Sequence, residues 1–190
     1  MRIYFFYFLG GRGNYILFFV HRKRGRMKWY LIQDVNDCRE SIIEYLNSFE
    51  DMVAFVPRVM KYFKIAGENK ILPKTWDDSY IIVKTELKYE EVFKRYWNLV
   101  QENSLQFRPN EDVVKFKKEE VQLLEQLFDE DIVLCSIGKI EEGKLIIEKG
   151  PLKGLERRVK KINRHKRMAL LEINSNLSIM KVYLEVVSKS

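Results

Sequence analysis

The chain has 190 residues, 46% of them apolar, with 34 Lys and Arg against 27 Asp and Glu for a formal charge of +7. That length and composition fit one or two small domains with an ordinary core and exclude a chain disordered throughout. Residues 1–27 carry six basic and no acidic groups, 28–138 fifteen and twenty-one, and 139–190 thirteen and six, so the blocks stand at +6, −6 and +7. A basic C-terminal block behind a mildly acidic middle points to a polyanion as partner.

The first 26 residues, "MRIYFFYFLGGRGNYILFFVHRKRGR", are apolar and aromatic and end in a basic cluster. A membrane-spanning helix needs about 20 nearly unbroken apolar residues, and Gly10 to Asn14 interrupt this run with an arginine. A secretory signal would place its charge before the apolar run and a small-residue cleavage site after it, whereas here most of the charge follows the run and no A-x-A pattern is present. The better reading takes Met27 as the biological start, with an extension from a mis-assigned start before it; a membrane-associated arm is the alternative. Starting at Met27, the charge falls to about +1, and the basicity is concentrated at the C-terminus.

From Met27 the pattern is mixed. "KWYLIQ" is an aromatic and β-branched run suited to a strand, and "CRESIIEYLNSF" places Ile42, Ile43, Leu46 and Phe49 at helical spacing. "DMVAFVPRVMKYFKI" reads as a strand passing Pro57, "AGEN" as a turn and "SYIIVKT" as a further strand. "KYEEVFKRYWNLV" and "KKEEVQLLEQLF" each carry an apolar helical stripe. The order β-α-β-β-β-α with a trailing helix predicts an α+β sandwich over residues 27–128, its helices against an antiparallel sheet. Acidic and turn-forming residues then predict a linker over 129–138, leaving 139–190 as a second domain.

In the second domain, Gly150-Pro151-Leu152-Lys153-Gly154 lies between the β-rich runs "LIIE" and "RRVKKIN". Pro151 fixes φ and Gly154 permits positive φ, which predicts a shaped loop between strands. Ala169, Leu171 and Ile173 alternate with Leu170 and Glu172, and "SIMKVYLEVV" supplies closing strands, so a five-stranded SH3-like β-barrel is the expected closure. Lys153, Arg157, Arg158, Lys160, Lys161, Arg164, His165, Lys166 and Arg167 would then form a phosphate-binding edge.

Enzymatic chemistry finds no foothold. Cys38 and Cys135 have no zinc or disulfide spacing, His21 and His165 sit in basic runs without triad or metal partners, and the glycines form no phosphate-cradling pattern. The expectation is a non-enzyme without metal or cofactor.

"KWYLIQ", "FVPR", "SYIIV" and "EKGPLKGLERRVKKINRHKRMALLEI" together resemble the NusG family of transcription elongation factors from Met27 to Ser190. The last stretch resembles a KOW motif, in a form closest to the LoaP-type specialised antiterminator paralogues. The resemblance implies a NusG N-terminal-type domain that binds the clamp helices of the largest RNA polymerase subunit, followed by a KOW domain. By motif position it implies Trp29, Gln33, Tyr80, Ile82 and Phe107 as polymerase-binding residues. Two departures stand out: Arg157 takes the place of a usual glycine, and Asp77-Asp78-Ser79 replaces the usual turn before Tyr80.

The function implied is that of a cytoplasmic, monomeric regulator promoting processive antitermination, with nascent RNA, a hairpin included, held by the KOW domain. Rho or the ribosome are further partners of such a domain. The alternatives are a KOW-containing RNA- or ribosome-binding protein without polymerase affinity, and a membrane-tethered regulator if residues 1–26 are translated.

Overall fold

The computed structural model describes residues 27–34, 38–76, 80–105, 112–173 and 179–189. The expectations for residues 1–26, for Phe107 and for 77–79 lie outside the described residues. The fold is mixed α+β, with three α-helices and thirteen strands among the described residues.

β1 (Lys28–Gln33) is apolar and buried from Trp29 to Ile32 because both of its faces are covered. It lies in a four-stranded antiparallel sheet of order β2-β5-β1-β6, between β5 (Tyr80–Thr85) and β6 (Val113–Lys115), with β2 (Met52–Phe55) on the far side of β5. On one face Tyr30, Ile32, Ile81 and Val83 pack against α1 (Arg39–Asn47) and α2 (Tyr89–Glu102), which contribute Ile42, Leu46, Val92 and Tyr96. On the other face Trp29, Leu31 and Ile82 meet Leu123, Leu124 and Leu127 of α3 (Lys118–Leu127). α2 and α3 begin with the same device: the backbone N–H groups of Lys88 and Lys117 donate to the carboxylates of Glu91 and Glu120 at 2.9 and 2.6 Å.

The run expected as one strand past Pro57 is two strands in different sheets. β2 ends at Phe55 and β3 (Arg58–Ile65) begins after Pro57, pairing with β4 (Glu68–Thr75) across a two-residue Ala66-Gly67 turn. Proline lacks the N–H a continuing ladder would need, and the chain leaves the sheet there. Both turn residues have positive φ, 51° and 84°, as a tight hairpin requires. Pro73 is tolerated because β4 is an edge strand.

The stretch expected as a linker carries strands. β7 (Phe128–Asp129) and β8 (Ile132–Val133) form a tight antiparallel pair, and β8 runs parallel to the start of β3, giving the order β4-β3-β8-β7. Arg58 fastens this junction: its Nε and Nη2 donate to Asp131 at 2.7 and 2.8 Å, and its backbone N–H donates to the Asp131 carbonyl.

The remaining chain forms a five-stranded sheet of order β10-β9-β13-β12-β11. Its strands are β9 (Ser136–Glu141), β10 (Lys144–Lys149), β11 (Val159–Asn163), β12 (Met168–Glu172) and β13 (Ile179–Lys189). The expected closing strands are one long strand: residues 179–183 of β13 pair antiparallel with β12, and from Leu184 onward β13 pairs in parallel with β9. The inner residues of this sheet, Ile147, Ala169, Leu171, Met180, Val182 and Leu184, join the apolar cluster that holds Trp29, Ile82 and the α3 leucines. One core therefore runs from the first sheet through α3 into the C-terminal sheet.

Candidate nucleic-acid interface

The loop before the basic run is built as its sequence demands. Gly150 has φ +97°, and a Cβ there would lie 2.3 Å from the Cys135 carbonyl oxygen, so glycine is required by both conformation and space. Leu152 is fully buried, and its N–H donates to the hydroxyl of buried Ser136 at 3.1 Å. Gln126 of α3 reaches across to the carbonyls of Pro151 and Lys153, at 3.2 and 2.9 Å. The loop is thereby held from both sides while Lys153 stays exposed.

Arg157 and Arg158 do not lie on the strand that follows but on a short 3-10 turn, Glu156–Arg158, and they diverge. Arg157 lines a shallow depression with Lys144 and Ile146 of β10, whereas Arg158 lines one with Lys117, Glu119 and Glu120 at the start of α3. Arg158 is the less exposed of the two.

The next five basic residues are all exposed. Between Val159 and Lys161 the β11–β12 register slips by one residue, a bulge that leaves Lys160 and Lys161 both exposed although they are consecutive. Lys160 is partly neutralised by Glu172 at 2.8 Å. The turn between β11 and β12 then exposes Arg164, His165 and Lys166, and the Lys166 N–H donates to the Asn163 side chain at 2.9 Å.

Arg167 has a different task. It adopts φ +46°, and its guanidinium lies 4.4 Å from the ring centre of Tyr62 on β3 and 3.0 Å from Glu185 of β13. A hydrogen bond to the Tyr183 hydroxyl and the nearby Glu185 carboxylate hold its pKa up, and burial pushes the Tyr183 phenol up. Arg167 thus pins the basic turn against the β3–β4 hairpin, while Arg164, His165 and Lys166 face solvent. Tyr62, far away in the sequence, is the partner that no local pattern could supply.

The residues expected at a polymerase-binding depression separate by burial. Trp29 and Ile82 lie in the core at 2% and 0% exposure. Phe55 and Phe128 pack on Trp29 with ring centres 6.4 and 6.3 Å away. Lys84 covers this aromatic group, its Nζ 4.1 Å from the Trp29 ring centre and 4.7 Å from that of Phe55, and donates to the Glu130 carbonyl at 2.9 Å. Burial pulls the Lys84 pKa down, although Glu125, Asp131 and Glu130 oppose this. Gln33 and Tyr80, paired across β1 and β5, are partly exposed, and Tyr80 packs on Trp76 with ring centres 5.8 Å apart.

Among the described residues, no group of three or more His, Cys, Asp or Glu side chains could hold a metal ion, and no helix is long and apolar enough to cross a membrane. Burial raises the pKa of the Cys135 thiol, the direction that makes a thiol less reactive. The chain matches no protein-family model and no curated protein.

Proposed function

We propose that this chain is a transcription elongation regulator of NusG type, closest to LoaP-type antiterminators. In this reading its C-terminal sheet is an SH3-like KOW barrel that binds nascent RNA, and residues 27–128 form a NusG N-terminal-type domain. The observation that carries the reading is the edge formed by Lys160, Lys161, Arg164, His165 and Lys166, exposed together on a bulge and a turn that internal contacts hold in place. An edge positioned before it meets its ligand spends less binding energy on ordering.

The N-terminal half contacts the clamp helices of RNA polymerase through Gln33 and Tyr80, with buried Trp29 and Ile82 supporting that surface from beneath. Attachment to polymerase and RNA together raises the effective concentration of each contact and favours processive antitermination without covalent chemistry. The protein acts as a cytoplasmic monomer, and Rho or the ribosome could engage the same C-terminal unit.

A second reading, an RNA- or ribosome-binding KOW protein without polymerase affinity, is favoured by the burial of Trp29 and Ile82. Pull-down of RNA polymerase and single-round transcription across a terminator separate the two. The first predicts polymerase binding and read-through that Lys161→Ala/Arg164→Ala/Lys166→Ala lowers. RNA binding without polymerase binding would leave only the second, and loss of neither activity in the triple variant would overturn both.

A further inference from the structure

The β3–β4 hairpin is a basic island in the acidic half of the chain. Residues 58–75 hold Arg58, Lys61, Lys64, Lys70 and Lys74 against a single acid, Glu68. The four lysines are exposed. Side chains alternate across a two-stranded ribbon and cross-strand partners share a face. The register Val59↔Lys74, Lys61↔Leu72 and Phe63↔Lys70 therefore places three lysines on one face around Phe63, whose ring lies 5.5 Å from the Lys61 Nζ; Glu68, opposite Ile65 on that face, forms an exposed ion pair with Lys70 at 3.3 Å. The other face carries Tyr62 and Lys64, and there Arg167 stacks on Tyr62. The hairpin is thus fixed beside the turn that presents Arg164, His165 and Lys166.

Lysines on an edge strand discourage unwanted strand pairing, which accounts for Lys70 and Lys74 on β4. It does not account for a half-buried phenylalanine among lysines, which is the pattern of a surface that tracks phosphates and stacks on bases. The deep, narrow major groove of an RNA duplex excludes side chains, whereas unpaired bases are free to stack.

We propose that the β3–β4 hairpin is a second RNA-binding element that takes unpaired RNA with Lys61, Lys70 and Lys74 on phosphates and Phe63 against a base, on the face opposite the one that meets the 164–167 turn. This inference rests on the RNA reading of the C-terminal edge and extends it onto the N-terminal half.

The test uses the full chain and fluorescence anisotropy with a labelled oligouridylate over a range of salt, with duplex DNA and polyglutamate as competitors. Lys61→Gln/Lys70→Gln/Lys74→Gln is expected to weaken binding at least tenfold and to flatten the slope of log K against log salt by about 2, since each phosphate contact to a single strand contributes roughly 0.7. Phe63→Leu, which keeps an apolar side chain but removes the ring, is expected to lose roughly fivefold or more on oligouridylate and nothing on duplex DNA. If both hairpin variants bind as the parent does while Arg164→Ala/Lys166→Ala loses binding, the hairpin proposal is overturned and the C-terminal edge stands. The reverse pattern removes the C-terminal edge and keeps the hairpin. A parent chain that ignores oligouridylate, or that duplex DNA or polyglutamate competes away more strongly than unlabelled RNA does, overturns the proposal.

Discussion

Replacing Arg167 tests how the basic turn is held. Its ion pair with Glu185 joins side chains 29% and 32% exposed, a setting worth about 0.5–1 kcal/mol. Its stacking on Tyr62 at 4.4 Å adds about 0.5–1 kcal/mol. Arg167→Ala should therefore cost roughly 1–2 kcal/mol, with the left-handed backbone strain unchanged because alanine meets the same steric obstacle at φ +46°. Arg167→Gly loses the same contacts but relieves that strain, recovering about 1 kcal/mol. The expected order is parent, then glycine, then alanine, by equilibrium urea unfolding followed by circular dichroism. An alanine variant as stable as the parent, or a glycine variant less stable than alanine, would refute the reasoning.

Gly150→Ala forces a Cβ to within 2.3 Å of the Cys135 carbonyl at φ +97° and should cost about 3 kcal/mol or more. Gly154→Ala, at φ +83° in open space, should cost only about 1 kcal/mol, so the two melting temperatures should separate clearly. Leu152→Ala empties a fully buried site in the shared core and should cost about 3 kcal/mol. Because Trp29, Trp76 and Trp97 all precede the C-terminal sheet, tryptophan fluorescence should report the same shift; an unchanged tryptophan transition would mean the halves unfold independently. Burial, aided by Glu90 and Glu91, pushes the Tyr30 phenol up to about 12, above the ordinary value near 10. The folded state then holds the proton more tightly, so this stabilisation is complete below pH ~10 and is lost as pH rises through ~12. Tyr30→Phe, which also gives up the 2.9 Å hydrogen bond to the Leu87 carbonyl, should flatten the stability profile over that window; an unchanged alkaline slope would contradict the assignment.

Much of the fold was legible because period and burial agree. α2 and α3 carry clean apolar stripes, and the centres of β1 and β5, residues 29–32 and 81–83, are continuously apolar because each is buried on two faces. The break at Pro57 was visible as a residue, but the separation of β2 and β3 into different sheets depends on pairing with β8, a non-local event. Residues 129–138 read as a linker because they open with Asp129, Glu130 and Asp131, yet Asp131 is the acid that receives Arg58. Of the basic edge, the cluster was readable, whereas the divergence of Arg157 and Arg158 and the anchoring of Arg167 on Tyr62 come from tertiary contacts that a linear pattern does not encode.

The change of partner along β13 bears on the order in which the protein is assembled. As synthesis proceeds, the β9–β10 and β11–β12 hairpins emerge first, each a two-stranded ribbon of marginal stability by itself. Among the described strands it is β13 that joins them, its first half to one and its second half to the other, and it also brings Glu185 to Arg167. The turn carrying Arg164 to Lys166 thus acquires its fixed position in the last step of translation through this region. A chain stalled short of residue 179 would expose the positive charge without the strand that fixes its position.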